Sequence, residues 1–145
     1  MNYKKLTLGG CGSVIIIAAA FWTALIYYLT LDERIAKDPK KIAAEAGFEL
    51  PDYVVVEQTD NMNRSSSAWS DYQWTLRLVE PLTEEQIQHL NTLVTKDRQW
   101  SYRPTDRTYV YDTNPALEDD RPVINIHMRA DGEVWLEYMW WDFFA

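Results

Sequence analysis

The feature that constrains this chain most is its uncharged stretch from Leu6 to Leu31, which is 26 residues long. As an α-helix it would extend about 39 Å, at about 1.5 Å per residue, whereas the hydrocarbon core of a bilayer is about 30 Å thick. Nine residues between Val14 and Leu31 are Leu, Ile, Val or Phe, which together favour membrane insertion by about 4 kcal/mol. The sequence therefore predicts a transmembrane helix at 6–31 after a short cytoplasmic segment at 1–5.

Cys11 has two interpretations. The letters LGGC at 8–11 resemble the motif at which bacterial lipoproteins are cleaved and lipidated. A signal of that kind has its apolar stretch of about 7–15 residues before the cleavage site, but here only LTL precedes the motif and the long apolar run follows it. We interpret Cys11 as an ordinary small residue of the helix. A lipoprotein anchored through Cys11 is the alternative.

The charges on either side of the helix predict its orientation. Lys4 and Lys5 adjoin the first end, whereas Asp32 and Glu33 adjoin the other. A count of Lys and Arg alone favours the opposite orientation, but the basic residues beyond the helix are interleaved with acidic ones. We predict a single-pass inner-membrane protein with a periplasmic domain. The helix also has a face of small residues, which would allow two copies to pack as a homodimer: Gly9, Ser13, Ala20 and Ala24.

Charge separates the rest of the chain from this helix. All 22 acidic residues lie at or beyond Asp32, together with 12 of the 14 basic residues, so this part carries a net charge of −10. Nucleic acid is disfavoured as a partner because phosphate binding requires clustered Lys and Arg. The charge suits a cationic partner, or solubility alone.

Alternation and capping patterns predict the fold of this acidic part. Asp38, Pro39 and Gly47 predict a short helix at 39–46 within a linker at 32–50. Thr83 and Gln86 predict a capping box at the start of a second helix. Apolar alternation predicts strands before and after that helix. We therefore expect an α+β domain at 51–145, with an antiparallel sheet of about five strands in the order ββαβββ and one helix packed on a face.

The last two strands are predicted to form a hairpin around Asp131-Gly132, a type I′ turn signal. A two-residue turn would place Glu137 opposite Ile126 on the apolar face, where desolvation would raise the pKa of the carboxyl. It would also place His127 beside Tyr138. A one-residue shift of the register by a bulge is the alternative explanation for Glu137.

The segment GFELPDY, the Trp- and Tyr-rich second strand, the segment PLTEEQIQHL, a following Trp and the closing hairpin resemble small uncharacterised bacterial envelope proteins. Those proteins carry an N-terminal anchor or lipobox before a compact α+β domain. The resemblance covers most of residues 47–141. It implies a membrane-anchored envelope protein and transfers no active site.

Two aromatic segments are candidate ligand- or partner-binding sites. In the segment 97–107, arginines and aromatic residues alternate, as suits stacking and bidentate hydrogen bonding to a sugar, a peptide or an anionic headgroup: Arg98, Trp100, Tyr102, Arg103 and Arg107. The closing segment MWWDFFA could dock on the domain, on a membrane surface or on a partner: Trp140, Trp141, Phe143 and Phe144.

No catalytic motif, phosphate-binding loop or dinucleotide fingerprint is present. Two separated histidines and Cys11 do not have the spacing of zinc ligands, so we expect neither metal nor cofactor. The sequence favours a non-enzymatic protein-interaction module in the cell envelope. One alternative is an immunity-type inhibitor of a cationic toxin. Another is a glycan-binding or hydrolytic envelope domain that uses the segment 97–107.

Overall fold

The computed structural model describes residues 4–60, 69–113 and 122–141, with side chains except those of residues 4–12, Trp69 and Trp141. The chain divides into two units, Met1–Leu31 and Asp32–Ala145. The elements in chain order are α1 (Lys4–Leu29), α2 (Leu31–Ala36), α3 (Pro39–Glu45), β1 (Tyr53–Asp60), β2 (Trp69–Leu78), α4 (Glu84–Lys96), β3 (Trp100–Arg103), β4 (Thr108–Asp112), β5 (Val123–Arg129) and β6 (Glu133–Trp141).

Helix α1 lies within the first unit. Its large apolar side chains Val14, Ile16, Phe21 and Trp22 are 61–71% exposed. In the described part of the chain, no helix combines the length and the apolar character needed to cross a bilayer. The structure therefore does not support the predicted transmembrane helix.

The second unit is built on one antiparallel sheet in the order β1-β2-β6-β5-β4-β3. This confirms the α+β class and the antiparallel sheet. The prediction of about five strands in the order ββαβββ was wrong, because residues 100–103 form the additional strand β3, which pairs with β4. The described order from β1 onward is ββαββββ, preceded by α3, which the sequence predicted at 39–46, and by α2, which it did not predict.

Alternation divides the sheet into two faces. The helix face packs against the helices and carries most of the hydrophobic core, including Trp74, Leu76, Ile126, Leu136 and Tyr138. The alternate side chains form the opposite surface, which we call the open face. There Gln73, Asn125, His127, Trp135 and Glu137 are half-buried.

The segment that the sequence assigns to a linker contributes to this core. Ala36, Ile42 and Phe48 are buried in the main hydrophobic cluster. Two tryptophans of the sheet donate indole N–H hydrogen bonds to backbone carbonyls of this segment, which hold it against the sheet. Trp74 donates to Ala36 O and Trp100 to Ala46 O, each at 2.9 Å. The segment 32–50 is therefore packed into the same compact unit as the sheet.

The predicted helix starts are confirmed. The Asp38 side chain accepts the Lys40 N–H, and Pro39 occupies the first turn of α3. At α4, Thr83 Oγ1 accepts the Gln86 N–H, and Gln86 Oε1 accepts the Thr83 N–H. These local hydrogen bonds satisfy amides that the first turn of a helix leaves unpaired.

The predicted register of the last hairpin was wrong by one residue. The β5–β6 loop contains three residues, and Gly132 adopts φ +97° while its N–H donates to Arg129 O at 3.0 Å. Three-residue hairpin loops place a positive-φ residue, usually glycine, at this position. As a result Ile126 lies opposite Leu136, Asn125 opposite Glu137, and His127 opposite Trp135.

Candidate functional site

The strand β3 separates the predicted arginine–aromatic cluster onto both faces of the sheet. Trp100 is 3% exposed, donates to Ala46 O and packs against Tyr111 with ring centroids 5.2 Å apart. Tyr102, on the same helix face, is 41% exposed and packs on Tyr109. Trp100 consequently offers no exposed ring on which a sugar could stack.

The arginines of this segment are also dispersed. Arg103 points to the open face, where Nε and Nη2 donate to the two carboxylate oxygens of Asp106 at 2.8 and 2.6 Å. Arg98 lies exposed in the turn after α4. Arg107 adopts φ 55°, and its carbonyl accepts the Ala130 N–H. The structure therefore does not bring the three arginines together.

The closing aromatic segment is described only in part. Trp140 is buried on the helix face, where it stacks on Tyr72 with ring centroids 6.0 Å apart. The backbone of Trp141 pairs with Trp69 at the end of β6. The predicted binding residues Phe143 and Phe144 lie outside the described residues.

On the open face, a hydrogen-bonded row crosses β2, β6 and β5. Glu137 accepts Gln73 Nε2 at 2.9 Å and Asn125 Nδ2 at 2.7 Å, with a different carboxylate oxygen for each. The sequence placed Glu137 on the apolar face, and the three-residue loop explains that error. His127 lies against Trp135 rather than Tyr138, with ring centroids 5.2 Å apart in an edge-to-face arrangement.

Beside this row the open face contains a cavity of about 270 Å³. We call it the arginine cavity and define it by Arg77, Arg103, Arg129, His127 and Trp135. Arg129 donates Nη1 to Glu133 and lies 2.7 Å from Asp131 through Nη2. Within the described ranges, the Arg77 side chain forms no hydrogen bond or ion pair.

The pKa values of Asp106 and His127 at this cavity are both lowered. The hydrogen bonds from Arg103 lower the pKa of Asp106 to about 2, so its carboxylate is ionised at neutral pH. Burial lowers the pKa of His127, and the nearby Arg103 charge lowers it further. The imidazole is therefore neutral at pH 7, and the positive charges of the cavity come from its arginines.

The edge strand β1 is the second notable surface. Val54, Val55 and Val56 are 45–60% exposed, and a bulge interrupts the pairing with β2 between Val55 and Glu57. The Val79 N–H donates to Asp52 O at 2.9 Å. Because antiparallel pairing alternates, the peptide groups of Tyr53 and Val55 then point away from β2.

A third surface of note is a concave one between the end of α3 and α4, with a volume of about 620 Å³. His89 contributes to it, and its Nε2 lies 3.1 Å from Gly47 O while its ring stacks on Phe48. His89 is exposed, and its contact with Gly47 is an interaction that helical spacing alone could not reveal.

The comparisons with known proteins add no constraint on function. Across residues 4–60, 69–113 and 122–141, no group of three His, Cys, Asp or Glu side chains is placed to hold a metal ion. No family model, curated protein or solved structure matches the chain. The arginine cavity and the β1 edge are therefore the surfaces from which a function can be inferred.

Sequence reasoning missed Arg77 and Trp135 as candidate site residues. Arg77 occurs in a strand whose alternation places it away from the core, whereas the predicted two-residue turn placed Trp135 on the same apolar face as Ile126. The sequence does not reveal that β2 pairs with β6, which aligns Thr75 with Trp135 and brings Arg77 beside the hairpin. The exposed Val54–Val56 run, in contrast, is visible in the sequence as a strand with three consecutive valines.

Proposed function

We propose that the unit from Asp32 onward is a non-enzymatic protein-interaction module that pairs through β1 with an extended segment of a basic partner protein. The observation that carries the proposal is the exposure of Val54, Val55 and Val56 on an eight-residue edge strand. Soluble proteins protect such edges, because unpaired backbone groups beside apolar side chains recruit further strands. Among the described strands, only β2 pairs with β1.

Charge supports a basic partner over a second copy. The unit carries a net charge of −10, so two copies approaching through β1 would repel each other at low ionic strength. The strand itself contains Glu57 and Asp60 and no Lys or Arg. An added strand with Lys or Arg opposite these carboxylates would gain cross-strand attraction, whereas its main-chain hydrogen bonds would supply affinity independent of sequence.

The Val55→Pro variant is expected to abolish this pairing while it preserves the fold. Because the Val55 amide points away from β2, proline removes an N–H that the sheet itself does not use. The measurement is photo-crosslinking in cells of the full chain with benzoylphenylalanine in place of Val54. We expect a crosslinked protein that disappears in the Val55→Pro background, with an unchanged thermal transition.

The matched control places the crosslinker at Val79, which is 64% exposed and lies outside the edge strand. A product of equal yield from Val79, or one that persists with Val55→Pro, would contradict strand addition at β1. A second candidate, an immunity-type inhibitor, is favoured by the same charge of −10. Under that function the crosslinked protein is a cationic toxin, and loss of the chain sensitises cells to it.

We further propose that α1 anchors the protein in the inner membrane with the acidic unit in the periplasm, as in the small uncharacterised envelope proteins that its sequence resembles. The support is the uncharged run Leu6–Leu31, together with the outward-facing large apolar side chains of α1. An anchor through a lipid on Cys11 is the alternative.

Carbonate extraction of cell membranes is expected to leave the protein in the pellet. The double variant Ile16→Lys/Ala20→Lys should move it to the soluble fraction, because each lysine at a helix centre costs about 3 kcal/mol of insertion free energy. The control Ile16→Leu/Ala20→Leu should remain in the pellet. Release of the unaltered chain by carbonate, or cytoplasmic activity of a reporter fused after Ala145, would contradict the anchor or the orientation respectively.

A further inference from the structure

We propose that the arginine cavity binds a single carboxylate group attached to an apolar skeleton. The proposal is independent of strand addition at β1. Its starting point is Arg77, whose side chain has no hydrogen-bond or ion-pair partner among the described residues although it lines the cavity. A planar guanidinium binds a carboxylate through two parallel N–H bonds, which makes the carboxylate its best-matched small anion.

The two other arginines are held in place and retain donors. Arg103 uses Nε and Nη2 toward Asp106, whereas a guanidinium has five N–H groups, so three remain. Arg129 is fixed between Asp131 and Glu133 by one nitrogen each. Because acidic neighbours already orient both guanidiniums, a ligand loses less side-chain entropy when it binds them.

The charge of the cavity selects a monoanion. Of the three arginines in its lining, Arg103 is paired with Asp106 and Arg129 with Asp131 and Glu133. This leaves the single positive charge of Arg77, since His127 is neutral at pH 7. One carboxylate neutralises this charge. A phosphate dianion would leave a negative excess in a unit that already carries −10, so phosphate should bind more weakly.

The wall of the cavity suits an apolar neighbour of the carboxylate. Trp135 and the exposed Val56 line it together with the His127 ring. An aromatic or aliphatic skeleton would pack on the indole while the carboxylate meets Arg77. The volume of about 270 Å³ limits the ligand to a small acid or to one acidic side chain of a partner peptide.

The test is a titration of the ¹⁵N-labelled full chain in neutral detergent, read at the Trp135 indole N–H and assigned by Trp135→Phe. The probes are sodium benzoate, acetyl-Ala-Glu-Ala-amide, its Gln analogue, and inorganic phosphate. We expect saturable shifts in the millimolar range with benzoate or the Glu peptide. The first result identifies a free acid as the source of the carboxylate, and the second identifies a protein.

The Arg77→Gln variant should weaken that binding about tenfold, with Arg77→Lys intermediate because lysine retains the charge and loses the fork. The matched control is Arg98→Gln, an exposed arginine outside the cavity. Unchanged thermal transitions would show that each variant folds. The proposal is overturned by the absence of a saturable shift, by phosphate or the Gln peptide binding as tightly as the acids, or by equal losses in Arg77→Gln and Arg98→Gln.

Discussion

Replacement of Trp100 by alanine is expected to lower the free energy of unfolding by about 3–5 kcal/mol, the usual cost of removing a buried aromatic side chain. The indole is 3% exposed and packs on Tyr111. Its N–H bond to Ala46 O also joins β3 to the segment after α3. The variant therefore creates a cavity and leaves a buried carbonyl without its donor.

Urea unfolding followed by tryptophan fluorescence or circular dichroism measures this loss. The matched control is Tyr102→Ala, which removes an aromatic ring two residues away on the same face of β3. Because Tyr102 is 41% exposed and packs mainly on Tyr109, we expect a loss of about 1 kcal/mol. Equal losses in the two variants would show that Trp100 is not a core residue and would restore it as a candidate for ligand stacking.

The same residue shows why the sequence misplaced this segment. Strand β3 has only four residues, too few for alternation to be distinguished from a loop that mixes arginine and aromatic side chains. Its role depends on Thr108–Asp112, the partner strand, which supplies the backbone pairing and the ring of Tyr111. An aromatic-rich loop and an edge strand with one buried tryptophan have the same composition, and only tertiary packing separates them.

Where secondary structure depends on local hydrogen bonds, it could be predicted from the sequence alone. The caps at Asp38 and Thr83, and with them the starts of α3 and α4, depend on side chains two or three residues from the amides they satisfy. The hairpin register was not predictable to one residue, because Asp131-Gly132 fits both a two-residue and a three-residue loop. That single residue moved Glu137 from the apolar face to the open face.

The arginine cavity could not be predicted from the sequence, and the reason is a different one. Its arginines come from β2, the end of β3 and the end of β5. They line one cavity because β6 joins β2 to β5 and β4 joins β5 to β3. Nothing within each strand indicates that order. Alternation divides each strand into two faces, whereas the assembly of these faces into one concave site follows from the sheet topology.

The free energy of unfolding is expected to fall as pH rises above about 10, and Tyr138→Phe should make that fall shallower. Tyr138 is 1% exposed and donates its hydroxyl to Asp32 Oδ1 at 2.7 Å. Burial, and then the hydrogen bond to Asp32, raise the pKa of this phenol far above its ordinary value of 10.0. In the unfolded chain the phenol ionises near pH 10.

The direction of the pH effect on stability follows from this difference between the folded-state and unfolded-state pKa of Tyr138. Below pH 10 both states keep the proton, and the stabilising effect is fully present. Above pH 10 the unfolded state releases a proton that the folded state retains, so unfolding becomes more favourable by about 1.4 kcal/mol per pH unit until the folded-state pKa is reached. The hydrogen bond to the Asp32 carboxylate also predicts that Tyr138→Phe loses about 1.5–3 kcal/mol at neutral pH.

Urea unfolding of both proteins between pH 8 and about 11.5 measures the two effects. Tyr53, Tyr72, Tyr109 and Tyr111 also have raised pKa values, so the difference between the two proteins, rather than either curve alone, isolates Tyr138. The control Tyr102→Phe removes a hydroxyl from the more exposed Tyr102 ring and should leave the alkaline slope close to that of the unaltered protein. Parallel alkaline curves for the unaltered chain and Tyr138→Phe would mean that Tyr138 ionises as readily in the folded state as in the unfolded one, and that the contact with Asp32 does not join α2 to β6.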